Sequence, residues 1–221
     1  MTAQEEGLIG RAVGGMIRRS VRNRFRSGSW LRPHEPIQAP AIFYANHHGW
    51  MDGYLMFHVV GALGLRSVDW IEEFDGFPLF SRIGGMRFAT GDVAGRAATI
   101  RRTIKLMNGD RRSLVVFPEG VLHRPPELLP FGRAMATVAR RVPDVSMVPV
   151  SIRYELSMHE RPEAWVMLGQ PHRFASLEDC EQRLGAQLLE MGFKSGYTTL
   201  VEGRRDVNER MDMRRIPGQN G

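Results

Sequence analysis

The sequence predicts an α/β protein: a single-domain layered fold with a mostly parallel central sheet flanked by helices and preceded by an N-terminal basic amphipathic helix. Short apolar segments rich in β-branched residues alternate with longer segments in which apolar residues recur at helical spacing. The chain has 221 residues, of which 43% are hydrophobic, so it is long enough to bury one core. These observations favour a compact enzyme-sized domain over a disordered or fibrous chain.

The limits of the predicted elements follow from the residues that interrupt each pattern. Pro118 ends a strand, Asn108 and Gly109 predict a left-handed cap after a helix, and Ser176 predicts the N-cap of the last helix. Residues 27–40 contain several prolines and predict an extended connector. The predicted strands are 41–45, 67–71, 86–89, 113–117, 146–154 and 164–168, and the predicted helices are 8–25, 54–63, 94–107, 132–141 and 176–191.

The N-terminal segment combines an apolar stripe with many arginines. Such a helix can lie in an anionic lipid interface, or it can pack its stripe on its own domain with a solvated basic face. The sequence leaves both interpretations open. We divide the chain into the basic helix with its connector, 1–40, a main domain, 41–200, and a charged C-terminal tail, 201–221.

Charge and cysteine content limit the environment of the protein. The net charge is +6 and the pI about 10.2, which favours anionic partners. The one cysteine, Cys180, excludes an intramolecular disulfide and favours a reducing compartment, and we expect it to be a half-buried helix residue. The longest uncharged apolar run, 53–65, is shorter than the roughly 20 residues of a spanning helix, so we expect a soluble or peripheral protein.

The densest polar cluster, 46–53, follows a predicted strand and precedes a predicted helix, where ligands bind in α/β sheets. It contains His47 and His48, and imidazole is suited to removing a proton from an alcohol near neutral pH. Asp52 could orient either ring. On a regular helix His47 and Asp52 would diverge, so the pair requires His47 on the loop and Asp52 in the first helical turn. Gly49 is compatible with that bend.

Two other interpretations of the cluster remain open at this point. Asp52 can simply cap the helix, with the histidines as bystanders. Alternatively, His47, His48 and Asp52 can bind a metal, since neutral imidazole and carboxylate are good zinc ligands.

A second cluster, 117–120, reads Phe-Pro-Glu-Gly and again follows an apolar strand. Together the two clusters resemble the glycerolipid acyltransferase family, of the lysophosphatidic acid acyltransferase type. The family's first motif, Asn-His-x-x-x-x-Asp, is matched by Asn46, His47 and Asp52, and its third by 117–120. Its fourth, an apolar strand with a proline, is matched by 148–150.

The resemblance implies a reaction. His47 takes the proton of the acceptor hydroxyl, Asp52 holds His47, and the alkoxide attacks the thioester of acyl-CoA or acyl-carrier protein without a covalent acyl-enzyme. The thioester is a substrate, so neither a cofactor nor a metal is implied. The implied site consists of catalytic His47 and Asp52, acceptor-binding Glu119, Gly120, Arg87 and Arg124, and supporting Asn46, Phe117 and Pro118.

The same resemblance implies partners and a location. The partners are an acyl thioester donor, a lysophospholipid-like acceptor, an anionic membrane surface and, as one form of the donor, acyl-carrier protein, whereas nucleic acid is not expected. The implied role is in phospholipid biosynthesis, with the protein cytoplasmic and peripheral on the inner face of the membrane.

The second family motif, Gly-x-x-Phe-x-x-Arg, is matched only in part. The nearest segment begins at Gly85 and has Phe88 in place, but Gly91 stands where the arginine that binds the acceptor phosphate is expected. Arg87 lies within this segment and is its candidate phosphate ligand. Arg124 stands two positions late for the arginine that the family often carries after Phe-Pro-Glu-Gly. The alternative for each is a solvated arginine. A glycolipid, a carotenoid glycoside or an ornithine-lipid precursor is therefore an alternative acceptor.

Two further functions compete with this one. His48 and Asp52 also fit the His-His-x-x-x-Asp-Gly motif of peptide-synthetase condensation domains, in which His48 would be the key residue. Those domains are about twice as long and lack Phe-Pro-Glu-Gly at this distance. A non-enzymatic binder of anionic lipid or nucleic acid is the alternative that the net charge alone suggests.

Overall fold

The fold is an eight-stranded mixed sheet with helices on both faces, described by a computed structural model over residues 7–156, 158–191 and 196–207. The strands are β1 Ser27–Leu31, β2 Ala41–Ala45, β3 Ser67–Ile71, β4 Gly85–Arg87, β5 Ser113–Val116, β6 Ser146–Glu155, β7 Glu163–Leu168 and β8 Thr198–Glu202. The helices are α1 Gly7–Arg24, α2 Asp52–Ala62, α3 Val93–Asp110, α4 Arg133–Ala139 and α5 Leu177–Glu190, and 3-10 turns cover Phe74–Gly76 and Pro78–Ile83.

The sheet has the order β4-β3-β5-β2-β6-β7-β1-β8. The five strands from β4 to β6 are mutually parallel, β7 runs antiparallel to β6, β1 runs parallel to β7, and β8 runs antiparallel to β1. The predicted α/β fold with a mostly parallel sheet is confirmed. Because β2 and β5 are parallel neighbours, the loops that follow them leave the same edge of the sheet side by side.

The core occupies both faces of the sheet, which explains why its central strands are continuously apolar. All five residues of β2 are buried. Phe43 packs in the cluster that includes Leu55 of α2, whereas Tyr44 packs on the opposite face in the cluster that includes Met135 of α4 and Leu184 of α5. The loop that follows β2 therefore begins at a strand that is fixed from both sides.

The predicted connector contains a strand. Residues 27–31 form β1, which pairs with β7 and β8, and Trp30 is buried. The predicted boundary between 40 and 41 consequently falls between two strands of one sheet, and β8 crosses the boundary at 200. The part of the predicted tail from residue 208 onward lies outside the described residues.

Helix α1 packs on the domain through its apolar stripe. Val13 and Ile17 join a cluster with Phe57 and Ile83, and Val21 belongs to the main core. The packing interpretation of this helix is thus confirmed for its apolar side. No helix in the described ranges has the length and apolar character to cross a bilayer.

The ends of two helices test the capping predictions. The Ser176 hydroxyl accepts a hydrogen bond of 3.0 Å from the Asp179 amide, which confirms the predicted cap of α5. The predicted left-handed cap at Asn108 and Gly109 is wrong, because α3 continues through both residues and the left-handed residue is Arg111, with φ 51°. Asn and Gly tolerate a left-handed conformation but do not require it.

Candidate active site

The candidate site begins where β2 ends and Asn46 takes over its pairing with β6. The fully buried Asn46 side chain accepts a hydrogen bond of 2.8 Å from the Ile152 amide and donates one of 2.9 Å to the Ile152 carbonyl. Strand β6 extends beyond β2, so an amide side chain that both donates and accepts can satisfy its backbone there. Asn46 thereby fixes the start of the loop that carries His47.

His47 and Asp52 form the predicted pair. The loop stays non-helical until α2 begins at Asp52, and His47 Nδ1 lies 3.0 Å from Asp52 Oδ2. An ionised carboxylate only accepts, so Nδ1 carries the proton and Nε2 keeps its lone pair. The His47 side chain is 25% exposed, and its ring stacks on Phe117 at a centroid distance of 4.3 Å. Solvent-accessible imidazole with a free Nε2 is what a general base requires.

The Asp52 side chain is fully buried and accepts hydrogen bonds from three donors. Besides His47, the Gly49 amide donates to Oδ2 at 2.9 Å and the Tyr154 hydroxyl donates to Oδ1. Its position at the first residue of α2 places it at the positive end of the helix dipole. These contacts hold the buried carboxylate in one orientation toward His47.

Tyr154 is the site residue that the sequence analysis missed. Its ring stacks on Phe25 with centroids 5.4 Å apart. Burial, and then the charge of Asp52, raise the pKa of Tyr154 far above its ordinary value, so the hydroxyl remains a donor. The signal for it was the alternation along β6, since Val150, Ile152 and Tyr154 share the face toward α2, and Tyr154 lies beyond the end of β2.

Gly49 is required by the closeness of that tyrosine. A Cβ at Gly49 would overlap the ring of Tyr154. The sequence predicted a glycine that permits a bend, whereas the structure adds a steric reason for it. The bend lets the Gly49 amide point at the Asp52 carboxylate.

The predicted Glu119 is buried beside the same loop. Its Oε1 accepts from the His47 amide at 2.8 Å, and its Oε2 accepts from the Leu129 amide at 2.7 Å and from His123 Nε2. The side chain has no exposed surface. Glu119 therefore ties the loop after β2 to the loop after β5, and Gly120, at φ +76°, makes the turn that follows it.

Phe117 and Pro118 support this turn through their backbones. The Phe117 carbonyl accepts from the Gly120 amide at 3.0 Å, and the Pro118 carbonyl accepts from the Gly132 amide at 2.7 Å. The segment between Gly120 and Gly132 is thus closed into a loop whose ends are hydrogen-bonded.

The two predicted acceptor-binding arginines lie in different surroundings. Arg87 ends β4, three strands from β2 and about 14 Å away by strand spacing, and its guanidinium bonds to Asp75 at 2.9 Å and Asp92 at 2.5 Å. Arg124 is exposed in the loop after β5, next to His123. Of the two, Arg124 lies on the same loop as Glu119, whose carboxylate accepts a hydrogen bond from the His47 amide.

His48 points away from His47 and Asp52. Its Nδ1 contacts the Asn46 amide nitrogen at 3.1 Å, and its Nε2 contacts the Glu127 carbonyl at 3.1 Å. The described residues therefore do not form the metal site that His47, His48 and Asp52 could have provided. The alternative in which Asp52 only caps the helix is likewise incomplete, because its carboxylate also contacts His47.

Comparison with known proteins agrees with the geometry. The family model described as Acyltransferase matches residues 22–153. Among curated proteins, none matches the sequence. Among solved structures, the fold is similar to that of the 1-acyl-sn-glycerophosphate (LPA) acyltransferase PlsC from Thermotoga maritima, with a TM-score of 0.55, 18% identity, and coverage of 76% of this chain and 73% of that one. At this identity the likeness concerns the fold.

Proposed function

Since this chain belongs to the acyltransferase family, we propose that it transfers a fatty acyl group from acyl-CoA or acyl-carrier protein to the hydroxyl of a lysophospholipid-like acceptor. The observation that carries the proposal is the pair formed by a partly exposed His47 and a buried Asp52, 3.0 Å apart at the carboxyl edge of the sheet. A partly exposed imidazole whose Nδ1 is held by a buried carboxylate suits the role of a general base that activates an alcohol.

His47 would act twice in the reaction. Nε2 removes the hydroxyl proton as the acceptor oxygen attacks the thioester carbonyl, and the buried Asp52 carboxylate stabilises the imidazolium that forms. When the tetrahedral intermediate collapses, the carbon–sulfur bond breaks and the same proton passes to the leaving thiolate. Atoms and charge balance without a protein nucleophile, and Cys180 is buried in α5, where burial raises the pKa of its thiol to about 11.

Glu119 and Gly120 would shape the acceptor site indirectly. We propose that Glu119 acts by fixing the amides of His47 and Leu129, because its carboxylate is fully buried and already accepts from both. A general base must be held within a fraction of an ångström of its working position, and this link provides such a constraint.

Exposed apolar side chains support a lipid substrate. Trp50, in the loop between His47 and Asp52, is 71% exposed. Val121 and Leu122, directly after Gly120, are also exposed. Large apolar side chains rarely cluster on a protein surface without a partner. We propose that they contact the acyl chain of the donor or acceptor.

An anionic membrane surface is the proposed setting for this contact. Helix α1 leaves arginines exposed on its outer side, together with Leu8 and Ile9. Each arginine near an anionic surface contributes on the order of 1 kcal/mol. A peripheral position on the inner, cytoplasmic face of the membrane fits this basic surface and the free Cys180.

The acceptor headgroup separates two versions of the proposal. Arg124 is free to approach a phosphate near Glu119, whereas Arg87 is held by two carboxylates and Gly91 occupies the position expected for arginine. The occupied Arg87 favours a second candidate, in which the same chemistry acts on a lipid alcohol without a phosphate monoester, such as a glycolipid, a carotenoid glycoside or an ornithine-lipid precursor.

Mass spectrometry of the products tests the proposal. The full chain is incubated with acyl-CoA and either one of several lysophospholipids or an uncharged monoacyl glycolipid. The Arg124→Ala variant is assayed in the same way. An acylated product from the lysophospholipids, reduced in the variant, supports the first version; a product from the glycolipid alone supports the second. If no acceptor is acylated and the chain only binds anionic liposomes, the enzymatic proposal fails.

A further inference from the structure

We propose that His48, Glu119 and His123 form a binding site for zinc or a similar divalent transition metal. Each of these side chains offers one ligand atom, and the three atoms all lie within 4.8 Å of one another. Two imidazole nitrogens and one carboxylate oxygen are a common zinc ligand set, and three protein ligands leave a fourth position open. The acyl-transfer chemistry proposed above uses neither histidine.

The fold brings the three residues together through two adjacent loops. His48 lies on the loop after β2, and Glu119 and His123 lie on the loop after β5, four residues apart. The His123 amide donates to the His47 carbonyl at 3.1 Å, which fastens one loop to the other. The rings of His48 and His123 meet edge-to-face with centroids 4.7 Å apart. A backbone hydrogen bond between the loops and the contact of the two rings thus hold the three ligand residues close together.

An ion would replace hydrogen bonds that the ligands make now. His123 Nε2 lies 2.5 Å from Glu119 Oε2. With zinc–ligand distances of about 2.0–2.2 Å, ligand atoms in a tetrahedron are roughly 3.4 Å apart, so this pair must separate by about 1 Å. His48 must release Asn46 or Glu127 to turn one nitrogen toward the ion. Small side-chain rotations achieve both, and the buried charge of Glu119 favours the cation.

A second cluster of ligand types, His172, Asp179 and Cys180, is the weaker candidate among the described residues. Cys180 is fully buried, and burial raises the pKa of its thiol, whereas zinc binds the thiolate. His172 Nε2 is also engaged by the Tyr44 hydroxyl at 2.8 Å. It therefore serves as the internal comparison for the first cluster.

The test is titration of the chelator-treated full chain with Zn²⁺ by calorimetry and with Co²⁺ by absorption spectroscopy. We expect one ion per chain with a tetrahedral Co²⁺ spectrum. His48→Gln and His123→Gln should each weaken metal binding by more than about 100-fold. Loss of a group that only supports a metal ligand costs about 10- to 100-fold in affinity, and loss of the ligand itself should cost more. His172→Gln should bind as the parent does.

Three outcomes would overturn the site: no Zn²⁺ binding, binding retained in a folded His48→Gln or His123→Gln variant, or binding lost in His172→Gln alone. The two ligand variants lie on different loops, so either decides the question if the other does not fold. The readout needs no acyl transfer, and its failure would leave the proposed function untouched.

Discussion

The hydroxyl of Tyr154 offers the sharpest test of how the catalytic pair is held. Tyr154→Phe removes one donor to the fully buried Asp52 and keeps the ring that stacks on Phe25. A hydrogen bond to a charged group is worth about 1.5–3 kcal/mol, and the change leaves the buried carboxylate with one donor fewer. We expect the free energy of unfolding to fall by that amount.

The same change should slow the reaction. We expect kcat to fall about 10- to 100-fold, because Asp52 loses a contact that holds it in its orientation toward His47. Each 1.36 kcal/mol is tenfold in rate, and a small misplacement of a catalytic group can cost roughly 100-fold. KM for both substrates should change little, because the Tyr154 hydroxyl acts through the buried Asp52. A carboxylate with one donor fewer attracts the imidazolium proton more strongly, so the acidic limb of the pH–rate profile should move to higher pH.

The assay is initial rate of acyl transfer as a function of pH, combined with denaturant unfolding. Tyr197→Phe is the matched control, because the Tyr197 hydroxyl is buried and has no hydrogen-bond partner among the described residues. It should leave kcat and the pH profile unchanged. A Tyr154→Phe variant that unfolds at a lower denaturant concentration yet keeps the parental kcat and pH profile would show that Tyr154 is only structural and refute the reasoning.

Two further changes test the surroundings of the site. Gly49→Ala should lower kcat at least tenfold, because its Cβ would overlap the Tyr154 ring and overpacking costs about 1–3 kcal/mol. Gly53→Ala has open space around its Cβ, so it should keep activity and raise the unfolding temperature. Equal activity of the two variants would contradict the steric argument. Burial raises the pKa of Asp69 to about 6, against the stabilising hydrogen bond from Ser67. The folded state therefore disfavours the ionised carboxylate, and the free energy of unfolding decreases as pH rises from about 4 to 6. Asp69→Asn should consequently stabilise the protein at pH 8, by up to about 3 kcal/mol, and not at pH 4. An equal gain at both pH values in thermal unfolding would argue against this.

The parts of the fold that follow from local patterns were predictable. The continuous apolar residues of β2 and β5 indicate strands buried on both faces, and Ser176 caps its helix as its side chain predicts. Strand β1 was not predictable, because Ser27 to Leu31 has no apolar alternation and is a strand only through its pairing with β7 and β8. Pairing partners far apart in sequence leave no local signal.

The candidate site shows the same division. The contact between His47 and Asp52 was predicted from the spacing of the two residues and the need for a loop followed by a helix start, and the structure confirms it. Tyr154 was missed because it reaches Asp52 across 102 residues of sequence. His123 was overlooked for a similar reason, since its approach to His48 depends on β2 and β5 being neighbours.

The most direct test of the account compares His47→Ala with His48→Ala in initial-rate measurements of acyl transfer with chelator present. His47 holds the contact with Asp52, whereas His48 contacts Asn46, Glu127 and the ring of His123. We expect His47→Ala to lower kcat by about 10²–10⁴, the usual contribution of a general base, and His48→Ala to lower it less than tenfold. Loss of activity confined to the His48 variant would contradict the assignment of His47 as the base.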